Sequence, residues 1–281
     1  MKIVITMTSY PKRIRFVAER IKQFIDSQSV KPDIFYLWLS ISEFPNKEAD
    51  LPPELINVCL NYNIKLRWTL ENEYCHKRWY VYPEHYEDTV ISIDDDTIYS
   101  PKIVEFAKNI SNTNCVYNLF NDRTFLSIYN GIKIKYFFNV VDNRPSIYKT
   151  FLGQTIFPPK TFPLNSLTPE NIEIRKKYCP VCDESWLNPF IKYNNTEIGS
   201  MLEYHNEISD ISELNKTYNL LSVTPYNSVT IKDLQLYLVL RLKPELMQYW
   251  KHIFLSYKTT DFDNISIDTI HSIIKNYEKV S

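Results

Sequence analysis

Apolar residues in the first hundred positions follow two alternating patterns. Ile3 to Thr8 is a near-continuous run and reads as a strand. From Lys12 to Ser27 the apolar residues Ile14, Val17, Ile21, Phe24 and Ile25 recur at helical spacing, which places them along one face of a helix. Ile34 to Ser40 returns to a continuous apolar run, the kind found in a strand covered on both faces of a parallel sheet. Pro52 to Leu60 predicts a short helix, with proline near its start. Ile64 to Trp68 and Thr89 to Ile93 predict a third and a fourth strand, separated by a short helix or turn from about His76 to Tyr86. Ser100-Pro101 predicts the start of another helix, with Ser as N-cap and Pro in the first turn.

This β-α-β-α-β succession predicts an α/β fold, a Rossmann-type mixed but mainly parallel sheet flanked by helices. Ligands of such sheets bind beyond the carboxyl ends of the strands. Two polar clusters stand at strand ends: Thr8-Ser9-Tyr10-Pro11-Lys12-Arg13 after the first strand and Asp94-Asp95-Asp96 after the fourth. Beyond about residue 115 the pattern is less regular. Strand-like runs occur at Cys115 to Leu119 and Ile132 to Val141, a turn at Pro158-Pro159, and a helical pattern around Ile231 to Leu242.

Composition narrows the class. The chain has 281 residues, 44% of them apolar, and a net charge of −1, which predicts a globular protein with no basic excess to suggest nucleic acid as its main partner. No apolar run approaches the ~20 residues that span a bilayer, and no leader-like stretch precedes the first strand. The expectation is a cytoplasmic location, with peripheral contact at the inner face of a membrane left open. Five cysteines, an odd number, do not suggest a disulfide framework. Cys179-Pro180-Val181-Cys182 is a lone CxxC without a second ligand pair, so reduced thiols are expected in preference to zinc.

Three consecutive carboxylates carry the chemistry. At ~4 Å each like pair repels by about 1 kcal/mol in water and several times more near a protein interior. A divalent cation offsets that repulsion, and carboxylate oxygens suit Mg²⁺ and Mn²⁺. A solvated acidic loop is the bland reading. The apolar strand Val90-Ile91-Ser92-Ile93 weighs against it by delivering the carboxylates to the ligand edge of the sheet. Neither GxGxxG nor GxxxxGK[ST] is present, so dinucleotide and P-loop binding are not indicated. An acidic metal site without a glycine-rich phosphate loop suits transfer from a sugar diphosphate.

Ile-Asp-Asp-Asp-Thr-Ile-Tyr at 93–99 resembles the DxD motif of GT-A-fold glycosyltransferases. Thr8 to Ile14 resembles the TSYPxRI opening of a group of bacterial and viral family-2-like transferases. Val30-Lys31-Pro32-Asp33 with Leu37-Trp38-Leu39 resembles that group's second-strand region, and Asp183-Glu184-Ser185-Trp186 its later DD-x-W motif. Phe151-Leu152-Gly153 and Pro158-Pro159 fall where it has an acceptor segment. The resemblance covers roughly residues 3–200. It implies one GT-A-like domain over 1–281: a nucleotide-sugar-binding half at 1–100, an acceptor-binding half at 101–215 and a C-terminal mixed or helical extension at 216–281.

The resemblance also implies roles. Asp94 would meet the nucleotide, Asp96 would ligate Mn²⁺ or Mg²⁺ together with Asp94, and Asp95 would support them. Thr8, Tyr10 and Arg13 would line the pocket of a UDP- or GDP-sugar, with Lys77 and Arg78 near its phosphates. Asp183 or Glu184 would be the base that deprotonates an acceptor hydroxyl on a glycan or lipid-linked oligosaccharide. His205, and less so His252, is a candidate third metal ligand by residue type. Each has a blander reading: core packing for Tyr10 and Trp186, a helix-start cation for Arg13, a solvated turn for Lys77 and Arg78, an N-cap for Asp183. A sugar-phosphate nucleotidyltransferase and a non-catalytic sugar-binding protein are the rival functions. The first usually carries a glycine-rich N-terminal loop, which Thr8 to Arg13 lacks.

Overall fold

The structure is a computed structural model. It describes residues 1–110, 113–118, 154–200, 209–210, 239, 242–247 and 266–268, with the backbone of 124–129 and 133–138. The strands are β1 (Ile3–Thr8), β2 (Ile34–Ser40), β3 (Ile64–Thr69), β4 (Thr89–Ile93), β5 (Thr97–Ile98), β6 (Cys115–Asn118), β7 (Thr124–Tyr129), β8 (Lys133–Phe138), β9 (Thr155–Phe157), β10 (Glu197–Ser200) and β11 (Ser209–Asp210). The helices are α1 (Ile14–Ser27), α2 (Pro53–Asn61), α3 (Ile103–Asn109), α4 (Pro169–Tyr178), α5 (Asp183–Tyr193) and α6 (Pro244–Met247).

Seven strands form the main sheet in the order β10-β6-β9-β4-β1-β2-β3. β1 pairs in parallel with β2 and β4, β2 with β3, and β6 with β10. β9 runs antiparallel between β4 and β6. The sheet is therefore mixed and mainly parallel, flanked by helices, as the alternation in the sequence predicts. The carboxyl ends of β1 to β4 share one edge. Among the described residues no helix is long and apolar enough to cross a membrane.

Strand side chains alternate between two cores. Ile3, Ile5 and Met7 of β1 face α1, α2 and α3, in one cluster with Phe35, Leu37, Leu39, Leu55 and Ile103. Val4 faces the other side, where Tyr36, Trp79, Val90, Phe157 and the buried face of α5 pack together. α1 buries Ile14, Val17, Ala18, Ile21, Phe24 and Ile25, the stripe its sequence spacing calls for. Its last carbonyls are met by Lys31 Nζ, which donates to Ile25 O at 2.6 Å and Gln28 O at 3.1 Å. Asp33 accepts the Ile3 amide at 2.7 Å, which pins the start of β1.

Two helix starts differ from expectation. α3 begins at Ile103, two residues past Pro101. Ser100 accepts the Lys102 amide at 3.3 Å and spends its hydroxyl on the preceding turn. α5 begins at Asp183, and the Trp186 amide donates to Cys182 O at 3.3 Å, so Cys182 and not Asp183 stands in the N-cap position. The helical pattern at 231–242 lies almost wholly outside the described residues.

Candidate functional site

Asp94, Asp95 and Asp96 leave β4 at the shared carboxyl edge of the sheet, and the three side chains differ in what they meet. Asp95 turns inward, where Ser9 Oγ donates to it at 2.6 Å and Arg13 Nη1 at 2.7 Å. The same Arg13 nitrogen lies 2.9 Å from Asp96 Oδ2. Arg78 Nη1 donates to Asp94 Oδ1 at 2.7 Å. The Asp95 side chain is only 7% exposed, against 29% for Asp94 and 17% for Asp96, so the outer pair is the one open to a ligand.

The repulsion within the triplet is thus met in part by two buried guanidinium groups. Burial works against the charge of Arg13, yet Asp95 and then Asp96 outweigh it and its pKa is raised. Burial likewise opposes Arg78, and Asp94 followed by Asp183 raises its pKa. Both stay cationic at any working pH. Arg13 also sits over the Tyr10 ring at 5.5 Å, and burial, ahead of its charged neighbours, raises the Tyr10 hydroxyl pKa.

Arg78 joins parts of the chain that are far apart in sequence. It belongs to a 3₁₀ segment, Tyr74–Val81, which packs under β1 and is tied to it by Thr6 Oγ1 donating to Arg78 O at 2.9 Å. Its Nε lies 3.7 Å from Asp183 Oδ2 at the start of α5, and Trp79 Nε1 donates to that same oxygen at 3.1 Å. Asp183 is 89 residues from Asp94 in the sequence, and one side chain reaches both. Glu184 is engaged elsewhere: Cys182 Sγ donates to its Oε2 at 3.1 Å.

Lys77 is turned inward and 1% exposed. Its ammonium donates to Glu43 Oε2 at 3.1 Å, to Asn72 Oδ1 at 3.3 Å and to Ser9 O at 3.4 Å. Burial lowers its pKa, with Glu43 acting in the opposite direction. Thr8 Oγ1 donates to Trp38 O at 2.9 Å and joins the ends of β1 and β2. The structure therefore brings Thr8, Tyr10, Arg13, Lys77, Arg78, Asp94, Asp95, Asp96 and Asp183 to one edge. His205 and His252, with Phe151-Leu152-Gly153, lie outside the described residues.

Sequence reasoning did not single out Ser9, Glu43, Asn72 or Trp79. Ser9 lies inside the segment flagged after β1, and Glu43 follows β2 much as Asp94 follows β4. Nothing local distinguishes Asn72 or Trp79, whose roles come from contacts across the fold. The CxxC thiols are internal: Cys179 Sγ donates to Cys182 O at 3.1 Å, and burial holds the Cys179 thiol well above its ordinary pKa. Trp186 is buried against Phe190, with ring centroids 5.0 Å apart.

Among the described residues no three carboxylate, imidazole or thiol groups converge as a ready-made metal site. The donor chemistry still suits a hard cation. Asp94, Asp95, Asp96 and Asp183 form ion pairs with Arg13 and Arg78, four carboxylates to two guanidinium groups among these contacts. Asp94 and Asp96, the partly exposed pair, carry the oxygens such an ion would use.

No family model matches the chain, and no curated protein matches it in sequence. Several solved structures are similar to it in structure. S. aureus TarS 1-349 in complex with UDP-GlcNAc is 10% identical, over 99% of this chain and 92% of that one, with a TM-score of 0.40. The mannosyltransferase PcManGT from Pyrobaculum calidifontis in complex with GDP-Man and Mn²⁺ is 8% identical, over 99% and 82%, with a TM-score of 0.42. A nucleotidyl transferase from Methanothermobacter thermautotroptrophicus is 10% identical, over 84% and 98%, with a TM-score of 0.40.

Proposed function

We propose that the chain is an inverting, divalent-metal-dependent glycosyltransferase that moves a sugar from a nucleotide diphosphate donor to a glycan or lipid-linked acceptor. The observation that carries the reading is the charge arrangement at the carboxyl edge of the sheet. A partly exposed carboxylate pair, Asp94 and Asp96, stands beside a buried third carboxylate, and a fourth, Asp183, is joined to Asp94 through Arg78. The DxD-like, TSYPxRI-like and DD-x-W-like segments meet at this one edge, which supports reading them as one site. The donor is a UDP- or GDP-sugar.

Asp94 and Asp96 would hold Mn²⁺ or Mg²⁺, which when bound supplies positive charge to the leaving diphosphate. Asp95 acts behind them, holding the Arg13 guanidinium against the cluster. Arg13 and Tyr10 flank the place of the nucleotide, and Lys77 braces the loop beneath it. Asp183 takes the proton from the acceptor hydroxyl as that oxygen bonds to the anomeric carbon. The bond from that carbon to the diphosphate oxygen breaks, and the nucleoside diphosphate leaves with the electron pair. Glu184 is the alternative for this role; its carboxylate accepts from Cys182 Sγ, where that of Asp183 accepts from Trp79 Nε1 beside Arg78.

The test is a thermal melt against UDP, GDP, UDP-N-acetylglucosamine and GDP-mannose, each with and without Mn²⁺. A ligand of the folded state at a hundredfold excess over its Kd stabilises by about 2.7 kcal/mol. One nucleotide is expected to stabilise only with metal, and Asp96→Ala to abolish the shift and lower turnover by orders of magnitude. An Asp96→Ala protein of wild-type activity would remove the reading. Release of pyrophosphate in place of a nucleoside diphosphate would establish nucleotidyl transfer.

A further inference from the structure

The Asp183 carboxylate has an unusual pair of neighbours. Trp79 and Arg78, adjacent in the 3₁₀ segment, both approach its Oδ2, the indole at 3.1 Å and the guanidinium Nε at 3.7 Å. The nearer group is the neutral one. Trp79 is 1% exposed and locked on three sides. Its ring stacks on Phe162 at 6.0 Å, tilts against Tyr82 at 5.9 Å and meets Phe157 edge-on at 6.0 Å. A ring so confined cannot turn its N–H away. An indole N–H can only donate, and it binds a carboxylate oxygen more strongly than a neutral carboxyl, so it favours the ionised form.

We propose that Trp79 is a positioning residue for Asp183: its N–H fixes one carboxylate oxygen, so that the carboxylate meets the acceptor hydroxyl in a single orientation and in its ionised form. The proposal rests on the reading of Asp183 as the base. Other titratable or charged groups close to Asp183 come from both elements packed there: Arg78 and Cys75 from the 3₁₀ segment, Cys179, Cys182 and Glu184 at the head of α5. Arg78 is the one cation among these, and it is shared with Asp94. The indole N–H is given to Asp183 and serves none of the metal-side carboxylates.

The experiment replaces Trp79 in two ways. Trp79→Phe removes the N–H and part of the ring. Benzothienylalanine at position 79, with sulfur in place of N–H, removes the donor and keeps the outline, which covers the case that Trp79→Phe fails to fold. Release of nucleoside diphosphate from UDP-N-acetylglucosamine and from GDP-mannose with Mn²⁺ is followed across pH. The carboxyl ¹³C shift of Asp183, assigned by its loss in Asp183→Asn, is titrated in parallel and needs no turnover. Both variants are expected to lower kcat by roughly ten- to a hundredfold with donor KM unchanged. The acid limb of the rate and the ¹³C midpoint are expected to move to higher pH, because a donor to the ionised form has been lost. A purely structural role would lower the melting temperature and leave both midpoints in place, and that result overturns the proposal while the base assignment stands. Wild-type turnover in Asp183→Asn overturns the base assignment and the proposal with it.

Discussion

At the scale of single residues, the three aspartates show how a repeated side chain takes on different tasks. A run of carboxylates asks for positive charge, and Arg13 and Arg78 supply a share of it from inside the fold. Arg13 is almost wholly buried, with a hydrogen-bonded partner in Asp95. Removing one member of such a pair leaves an uncompensated charge in a poor solvent. Arg13→Ala is therefore expected to destabilise the protein by about 3–5 kcal/mol in urea denaturation. Asp95→Asn in the Arg13→Ala background is expected to recover part of the loss, since the surviving carboxylate has become the liability. The presence of the acidic run, of Arg13 and of Arg78 was legible in the sequence. Which guanidinium faces which carboxylate was not, because those pairs join positions 82 and 16 residues apart through loops without periodicity. Glu43 and Trp79 were invisible for the same reason.

At the scale of elements, legibility followed pattern length. β1 to β4 and α1 carry runs or stripes long enough to declare a period, and their observed bounds agree with the sequence reading to within about a residue or two. β9 has three residues, too few for a period, and its antiparallel direction is set by what lies on either side of it. α4 was missed although its start signal is explicit: Thr168 precedes Pro169, and its Oγ1 accepts the Asn171 amide at 3.4 Å. The helix was overlooked because its apolar stripe is sparse: Asn171 and Arg175 are its buried residues. With so little apolar burial the cap matters more than usual. Thr168→Ala is expected to cost about 1 kcal/mol, read as a shifted urea midpoint at constant slope. The 3₁₀ segment could be placed only as a helix or turn, because its residues are fixed by partners far away, such as Glu43 for Lys77 and Phe162 for Trp79.

At the scale of the whole molecule, stability should depend on pH through one imidazole before most carboxylates take part. His76 is buried, with its Nε2 3.0 Å from Cys179 O. Burial, and after it the Arg175 charge, pushes its pKa well below 6.5. The unfolded chain then takes up a proton below pH 6.5 that the folded chain refuses. Stability is therefore expected to be fully present above about pH 6.5 and to fall by about 1.4 kcal/mol per pH unit below it. His76→Gln should flatten that slope in urea titrations between about pH 6.5 and 5. Glu73 acts later. Burial opposes its charge, but Tyr80 and Arg175 hold its pKa below 4.5, so its contribution persists above that value and is lost as the pH falls through the lowered one.

The reversed strand has a consequence in time. β4 meets its outer neighbour only when residues 155–157 exist, and β6 and β10 reach the sheet only through that strand. While the chain is being made, β1 to β4 can assemble from the first hundred residues and then wait for more than fifty further ones. Throughout that wait the flank of Val90, Ile91 and Ser92 stands with its amides and carbonyls unmatched, a ready template for the same stretch of a neighbouring nascent chain. Thr155 to Phe157 are then a stopper as much as a strand. Their late arrival seals the β4 edge against pairing between two half-made copies.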